Sequence, residues 1–427
     1  MLRWIFGASL LAGVSWAALA SAQNLAPDQT ESQFARDRNV GVLERPRADY
    51  DALGVRAGGF LVFPKIELSG TYETNIFATQ TNALSDFIVS ISPSINVQSQ
   101  WSTHSLNLFA KTDIYEYPKY NSQSNFTYSV GGNGRFDVLR TTYLTGAADF
   151  SHLVLPRSDA STPQNAAKPI TYDQIHADIG GVHEVDRIRL SGNVTFYNYS
   201  FANNHTTLGV PLNETYRNEN TILEVVRADY ALSPSLAIFA SLQHNDRSYV
   251  NPPLPGDVRR NSSGFEGDIG ADFEITQLMR SQVQVGYLSQ SYQDHRVGTA
   301  SGVGARGEVE YFPTQLLTIK GNVERTVADS GVIGSPTYYH TGGGAEVDYE
   351  LFRNLVLIGH VQDWSDDFQG IARTDGTFEG RIGANYLFSR LLGFNLSYDY
   401  FNRTSNGAAR GPSFSDNRFQ IGVVAQY

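Results

Sequence analysis

The stretch Leu392-Gly393-Phe394-Asn395-Leu396-Ser397-Tyr398-Asp399-Tyr400 shows the pattern that decides the fold. Its even-numbered positions are apolar, and its odd-numbered positions are small or polar. Successive side chains of a β-strand point to opposite faces, so this alternation predicts a strand with one apolar and one polar face. The same alternation occurs at 317–324 and 378–388. It recurs from about residue 60 to the carboxy terminus, so the sequence predicts an all-β protein of many similar strands.

Short polar turns alternate along the chain with longer connections rich in Gly, Pro, Ser and Asn. The longer connections are at 156–168, 202–215 and 251–261. Short turns at one end and longer loops at the other are typical of transmembrane β-barrels, whose short turns are periplasmic. The pattern predicts an antiparallel up-and-down barrel over residues 59–427 with about eighteen strands, or sixteen as the alternative, because the phase of residues 222–232 can be read either way.

A β-propeller also repeats about every 40 residues and is the main alternative. Propeller blades fit four short strands into that length, whereas this repeat holds two long strands with one apolar face each. A polar face directed into a large hydrated lumen leaves the apolar face to lipid. No stretch after the amino terminus approaches the roughly 18 to 20 apolar residues of a spanning helix. We therefore expect the protein to cross a membrane with strands.

The amino terminus has the features of a secretory signal peptide. Arg3 is followed by an apolar stretch, and Ala20-Ser21-Ala22 matches a cleavage site. We expect residues 1–22 to be a cleaved signal peptide and residues 23–58, which are polar and charged, to form a periplasmic tail. The chain has no cysteine, so no disulfide framework is available after export.

The carboxy terminus ends on an apolar alternation that closes with an aromatic residue. This alternation resembles the signal that the outer-membrane barrel assembly machinery reads, and its residues are Phe419, Ile421, Val423, Ala425 and Tyr427. We therefore expect that machinery and outer-membrane lipid as partners and the cell outer membrane as location. Pairing of this last strand with the first strand, near residues 60–75, would leave no free edge in lipid.

The first barrel segment and its lead-in carry a family resemblance. The characteristic residues are Glu44-Arg45-Pro46-Arg47-Ala48-Asp49-Tyr50, Phe63-Pro64-Lys65-Ile66-Glu67, Tyr72-Glu73-Thr74-Asn75-Ile76-Phe77-Ala78 and Ser92-Pro93-Ser94. This region, roughly residues 44–110, resembles the type-2 putative β-barrel porin family of proteobacterial outer-membrane proteins. The resemblance implies a port for exopolysaccharide export, with a periplasmic polysaccharide-export protein as partner and no catalytic residues. A diffusion porin is the alternative, and a structural or adhesin barrel is the third hypothesis.

We predict no enzyme, cofactor or metal site. Gly302-Val303-Gly304-Ala305-Arg306-Gly307 matches a dinucleotide-binding fingerprint, but a strand pattern follows it where that fingerprint requires a helix. The nine histidines show no metal-ligand spacing. The formal net charge of −11 argues against a nucleic-acid partner, which would require a basic surface.

Charged residues on the polar faces are the candidate functional residues. We expect the carboxylates to form an arc near the periplasmic mouth, acting either as a solvated wall or as a selectivity device. The predicted lumen acids are Asp272, Glu274, Glu308, Glu310, Glu346, Asp348 and Glu350. The predicted lumen bases are Lys111, Arg187, Arg189, Arg306, Lys320 and Arg381.

The loop lengths suggest an open lumen. Porins that sieve small solutes fold a long loop inward, and the connections at 156–168 and 202–215 look too short to close a barrel of about eighteen strands. Residues 23–58 would then be the only long element able to occlude the channel, and they could equally dock a partner. We expect large conductance with mild cation preference from Glu274, Glu310 and Glu350.

Overall fold

A computed structural model describes residues 39–427, so the predicted signal peptide and residues 23–38 of the predicted tail lie outside the described part. The strands are β1 Val55–Ala57, β2 Phe60–Glu73, β3 Asp86–Ser99, β4 Ser105–Glu116, β5 Asn125–Leu139, β6 Thr142–Leu155, β7 Ile170–Val185, β8 Ile188–Phe201, β9 Asn204–His205, β10 Pro211–Leu212, β11 Glu219–Ser233, β12 Leu236–Tyr249, β13 Ser262–Thr276, β14 Met279–Tyr292, β15 Thr299–Thr314, β16 Leu317–Asp329, β17 Thr337–Phe352, β18 Leu355–Phe368, β19 Arg373–Leu387, β20 Leu392–Asn406 and β21 Phe414–Gln426. Two 3-10 helices occur at Asn121–Gln123 and Thr215–Arg217. Neither of these helices is long or apolar enough to cross a membrane.

Strands β2–β8 and β11–β21 form one closed antiparallel barrel of eighteen strands, as predicted. Each strand pairs with its neighbours in chain order, and β21 pairs back onto β2. The short strand β1 continues the pairing of β2 at the periplasmic end. The strands β9 and β10 form a small hairpin of their own in the long connection between β8 and β11.

The closing seam follows the predicted pairing of the last strand with the first. Lys65 lies opposite Gln426, and Tyr72 lies opposite Phe419. The Tyr427 backbone N–H donates to the Pro64 carbonyl oxygen at 3.1 Å. Within the predicted assembly signal, Phe419 and Ile421 are exposed on the outer face. The seam therefore satisfies the backbone groups of both terminal strands, as a barrel in lipid requires.

Strand β11 explains the ambiguous phase of residues 222–232. Its outer face carries Ile222 and Val226, which are exposed, but its inner face carries the equally apolar and buried Leu223 and Val225. An alternating pattern needs one polar face, but here the inner positions are apolar and the charged Glu224 lies on the outer face between Ile222 and Val226. The inward register is marked only outside this stretch, by Glu219, Arg227 and Asp229.

The outer face becomes polar near the extracellular strand ends. Glu224 and His244 face each other across β11 and β12 with 3.3 Å between the Glu224 carboxylate and His244 Nδ1, and Asp246 lies one position further out on the same face. Closer to the periplasm the same face carries apolar residues such as Leu242 and Ile238. Charges are costly on a lipid-facing barrel surface, so the strands project above the apolar band on the extracellular side.

Candidate functional site

The lumen wall carries a continuous row of ionisable side chains whose charges alternate in sign, except where His360 lies between Glu346 and Arg381. Each member lies directly opposite the next on the neighbouring strand, from β13 through β21 to β2. In order, this charge belt is Glu274, Arg280, Glu310, Lys320, Glu346, His360, Arg381, Asp399, Arg418 and Glu73. Opposite charges on cross-strand neighbours attract each other, so the belt stabilises the register of ten consecutive barrel strands.

Four ion pairs form along the charge belt. Arg280 pairs with Glu310, and Arg381 pairs with Asp399. Lys320 Nζ lies 3.5 Å from the Glu346 carboxylate, and Arg418 Nη2 lies 2.8 Å from that of Glu73. Because the strands are tilted and staggered, the belt climbs from the periplasmic turn between β13 and β14 to the extracellular end of β2.

The structure places the predicted lumen acids on the inward register of β13, β15 and β17. Asp272 pairs with Arg227 at 2.9 Å, and Arg227 also contacts Asp229 at 2.7 Å. Several of these acids therefore have individual basic partners. Glu274, Glu310 and Glu346 belong to the charge belt, Glu308 lies opposite Gln282 and Asn322, and Asp348 and Glu350 lie beneath the chain's amino-terminal part.

Five of the six predicted lumen bases also face inward. Lys111 pairs with Asp113 at 2.9 Å, and Arg306 pairs with Glu266 at 3.2 Å. Arg189 donates to the Tyr143 hydroxyl at 2.9 Å. Lys320 and Arg381 are members of the charge belt. Arg187 is the exception, because it is exposed in the two-residue turn between β7 and β8, outside the barrel wall.

The extracellular half of the lumen contains a loop that the sequence analysis placed outside it. Residues 156–169, here called the constriction loop, connect β6 to β7, yet the far wall holds their tip. Arg403 of β20 donates from Nη1 to the Ser158 carbonyl oxygen at 2.6 Å. Arg373 of β19 donates to the Ala160 carbonyl oxygen at 3.4 Å. This connection was expected to be too short to close the barrel, whereas its tip reaches the far wall.

Two further connections meet the tip of the constriction loop. The loop at 330–336, on the opposite side of the barrel from β6, accepts a hydrogen bond at the Gly331 carbonyl oxygen from the Tyr216 hydroxyl at 2.9 Å. A Cβ atom on Gly331 would lie 2.8 Å from Ser161 Cβ and 2.7 Å from Arg217 Nη2, so a glycine is needed there. The 3-10 helix Thr215–Arg217 therefore also contacts the loop at 330–336, and three connections converge into a constriction.

The base of the constriction loop is held by a buried guanidinium. Arg157 donates from Nε and Nη2 to the Gln123 side-chain oxygen at 3.1 and 2.7 Å, and from Nη2 to the Ala166 carbonyl oxygen at 2.9 Å. Within residues 39–427 no carboxylate pairs with it. Burial lowers the pKa of Arg157 to about 10, because the charged form is desolvated.

A cavity lies between the tip of the constriction loop and the wall of β16–β20. Its lining is aromatic and acidic. The aromatic members are Tyr338, Trp364, Phe368 and Phe401, the acidic members are Asp159, Asp329, Asp366 and Asp375, and Arg403 is the basic member. Among the described residues no group of three or more His, Asp or Glu side chains is arranged to hold a metal ion.

The periplasmic mouth contains the second element that enters the lumen. Residues 39–51, here called the mouth segment, lie against the inner wall of β16–β18. Val42 is fully buried and packs on Val356 and Ile358. Arg47 Nη2 lies 3.1 Å from the Glu350 carboxylate. The far end of the mouth segment reaches the seam, where Gln426 donates to the Tyr50 carbonyl oxygen at 3.3 Å.

The fold and the lumen together define a class of protein: a closed, membrane-spanning barrel with a charged interior narrowed by inward-folded loops, which is the architecture of porins. A family model described as "Putative beta-barrel porin 2" matches residues 47–427, and the chain belongs to this family. The protein is thus a porin-type barrel of the outer membrane, a channel architecture.

Solved structures with similar folds include OpdK from Pseudomonas aeruginosa, with 8% sequence identity, a TM-score of 0.43, and coverage of 86% of this chain and 99% of that one. A BenF-like porin from Pseudomonas fluorescens Pf-5 has 11% identity, a TM-score of 0.45, and coverage of 86% and 99%. OccAB3 from Acinetobacter baumannii has 9% identity, a TM-score of 0.45, and coverage of 87% and 100%. No curated protein sequence matches this chain.

Proposed function

We propose that this protein is a passive channel for small hydrophilic solutes with a preference for cations. The observation that carries the proposal is the constriction loop, whose tip is bound to the far wall through Arg403 and Arg373. A loop fixed across the lumen limits the size of solute that can pass. The polar inner wall is suited to hydrated solutes and offers no continuous apolar path.

The preference for cations follows from the balance of charges. On the inward register of the eighteen strands, Asp and Glu outnumber Lys and Arg. The cavity beside the constriction loop repeats this excess, with four carboxylates and one guanidinium in its lining. Acidic side chains lining a pore favour cations over anions because they lower the electrostatic energy of a passing positive ion.

The test uses purified full-length protein in two assays. In proteoliposomes, neutral saccharides of increasing size should permeate up to a small size limit and be excluded above it. In planar bilayers, the reversal potential in a salt gradient should report cation preference. Permeation of long oligosaccharides, or an anion-selective reversal potential, would refute the proposal.

Export of a secreted polysaccharide, delivered by a periplasmic export protein, is the second candidate function. The resemblance of residues 44–110 to barrels associated with exopolysaccharide export supports it. It would require the constriction loop to leave the lumen during transport. A deletion strain that loses surface polysaccharide and regains it with the wild-type protein would favour this function, whereas unchanged secretion would favour the diffusion channel.

Delivery to the outer membrane is also part of the proposal. Residues 1–22 would direct export and be removed, and the outward-facing Phe419, Ile421, Val423, Ala425 and Tyr427 would be read by the barrel assembly machinery. Mass spectrometry of the mature protein should find an amino terminus at Gln23. A mature protein that retains residues 1–22 would contradict this assignment.

A further inference from the structure

The mouth segment is seated on a row of three inward-facing side chains. Thr318, Asp348 and Ile358 lie directly opposite one another on β16, β17 and β18. Val42 covers this row: its backbone N–H donates to Thr318 Oγ1 at 2.9 Å, and its side chain packs on Ile358. The three wall residues are buried, and Asp348 is 0% exposed.

Ion pairs flank the covered row on both sides. On the periplasmic side, Glu350 lies 3.1 Å from Arg47, 3.8 Å from Arg45 and 3.5 Å from Arg353 of the following turn. On the lumen side, Lys320 lies 3.8 Å from Glu44 of the mouth segment. These ion pairs hold residues 42–47 over the row. Each charged side chain of residues 42–47 has an oppositely charged partner on the wall.

Asp348, in contrast, has no oppositely charged partner within ion-pair distance among the described residues. Both of its carboxylate oxygens are buried, and no ion pair or N–H donor among the described residues reaches them. Its hydrogen-bonding neighbour is the Glu346 carboxylate, which can share a hydrogen bond with Asp348 only when one of the two is protonated. The charged groups around it are Lys320 on β16, Glu346 and Glu350 on its own strand, His360 on β18, and Glu44, Arg45 and Arg47 of the mouth segment. Glu346 is on the same face, two residues away, and adds negative charge next to Asp348. Burying an ionised carboxylate without a hydrogen bond is costly, so the covered state favours a neutral Asp348.

We propose that the mouth segment is a proton-controlled latch of the periplasmic mouth, with Asp348 as its sensor. With Asp348 protonated, Val42 stays seated and the segment narrows the mouth. Ionisation of Asp348 favours the state in which water reaches the carboxylate, so the segment leaves the wall and the mouth widens. Acidification of the periplasm therefore reduces the flow through the channel, whatever solute the channel carries.

The first test measures single-channel conductance of the full-length protein while the pH on the periplasmic side is varied. One coupled proton can change the ratio of seated to released segments by at most about tenfold per pH unit. The wild type should lose conductance on acidification. Asp348→Asn, which is neutral at every pH, should stay in the low-conductance state throughout. Asp178→Asn, which removes an inward carboxylate on β7 far from the mouth segment, should keep the wild-type pH response. An Asp348→Asn variant with the wild-type response would overturn the role of Asp348.

The second test fixes the mouth segment to the wall with a disulfide. The chain has no cysteine, so Val42→Cys with Ile358→Cys introduces one possible disulfide between residues that pack together. The oxidised protein should show low conductance at every pH, and a reductant should restore both the conductance and its pH response. Equal conductance of the oxidised and reduced forms would overturn the latch, because a segment locked on the wall would then not narrow the channel. Neither test depends on the size limit or ion preference of the constriction loop.

Discussion

Two elements enter the barrel from opposite mouths, and they are held in different ways. The constriction loop is anchored at both ends by β6 and β7, and arginines of the far wall bind its backbone carbonyl groups. The mouth segment leads into β1. Ion pairs with Glu350 and Lys320 and the apolar side chains of Val42 and Leu43 hold it over the buried Asp348.

This difference separates a permanent restriction from a conditional one. Arginine stays charged at all physiological pH values and a carbonyl group does not titrate, so the anchors of the constriction loop do not respond to pH. The contacts of the mouth segment depend on the charge of Glu350, Lys320 and Asp348. In the proposed function, the chain would therefore combine a fixed size filter at the extracellular side with an adjustable mouth at the periplasmic side.

The largest expected effect is on the mouth segment. Arg47→Glu replaces the buried partner of Glu350 by a like charge, and breaking a buried ion pair costs about 3 to 5 kcal/mol. The variant should conduct like a channel with a released segment, even at acidic pH, in planar bilayers. Arg47→Lys, which keeps a positive charge beside Glu350, should retain the acid-induced loss of conductance. An Arg47→Glu variant with the wild-type response to acid would show that the pair does not hold the segment.

A smaller effect is expected at the constriction loop. Arg403→Met removes the donor to the Ser158 and Pro412 carbonyl groups. Hydrogen bonds to a charged group contribute about 1.5 to 3 kcal/mol. The population with a displaced loop should rise by about tenfold to a hundredfold. Larger saccharides should then enter proteoliposomes.

The matched control for this variant is Arg325→Met. Arg325 lies on the outer face of β16 and donates to Thr341 at 2.8 Å, away from the constriction loop. It should keep the wild-type size limit. An unchanged size limit in Arg403→Met would instead show that other contacts hold the loop tip.

The smallest effect is a stabilisation at the base of the constriction loop. Gln123→Glu places a carboxylate where Arg157 now meets a neutral amide oxygen. The pKa of Arg157, which burial lowers to about 10, should rise because the new charge favours the guanidinium form. A gain of about 1 kcal/mol is expected at neutral pH. Hydrogen exchange of residues 156–169 should slow in the variant, and unchanged exchange would mean that the base of the loop is not its weak point.

The strands were predictable because alternation is a local signal. Each strand carries its own apolar face, as in residues 392–400. Both ends of the barrel lie on the side of the short turns, so the number of strands is even. The apolar inner positions Leu223 and Val225 made β11 ambiguous, since their burial depends on neighbouring strands that local alternation does not reveal.

The contacts that fill the lumen were not predictable in the same way. The tip of the constriction loop is held through the carbonyl groups of Ser158 and Ala160. Every residue type has a backbone carbonyl group, so the loop sequence does not reveal that the loop folds into the lumen. The charge belt needs the register of ten strands, and a one-residue slip would turn its members to the other face. Val42 is one of only three branched aliphatic residues, with Val40 and Leu43, in residues 39–51. The wall surface that it contacts forms only once β16, β17 and β18 are paired.

The seam and the mouth segment together impose an order on assembly. The mouth segment precedes every strand of the barrel in the chain, yet Arg47 meets Glu350 across 303 residues, and Gln426 of the final strand binds the Tyr50 carbonyl group. Contacts so distant in sequence form late, because the intervening chain must first be ordered. Residues 39–51 therefore bind the inner wall only after the whole barrel has folded, so their docking is the last step of folding. In an incompletely folded barrel, residues 39–51 would be an unbound peptide segment accessible to periplasmic proteases and chaperones.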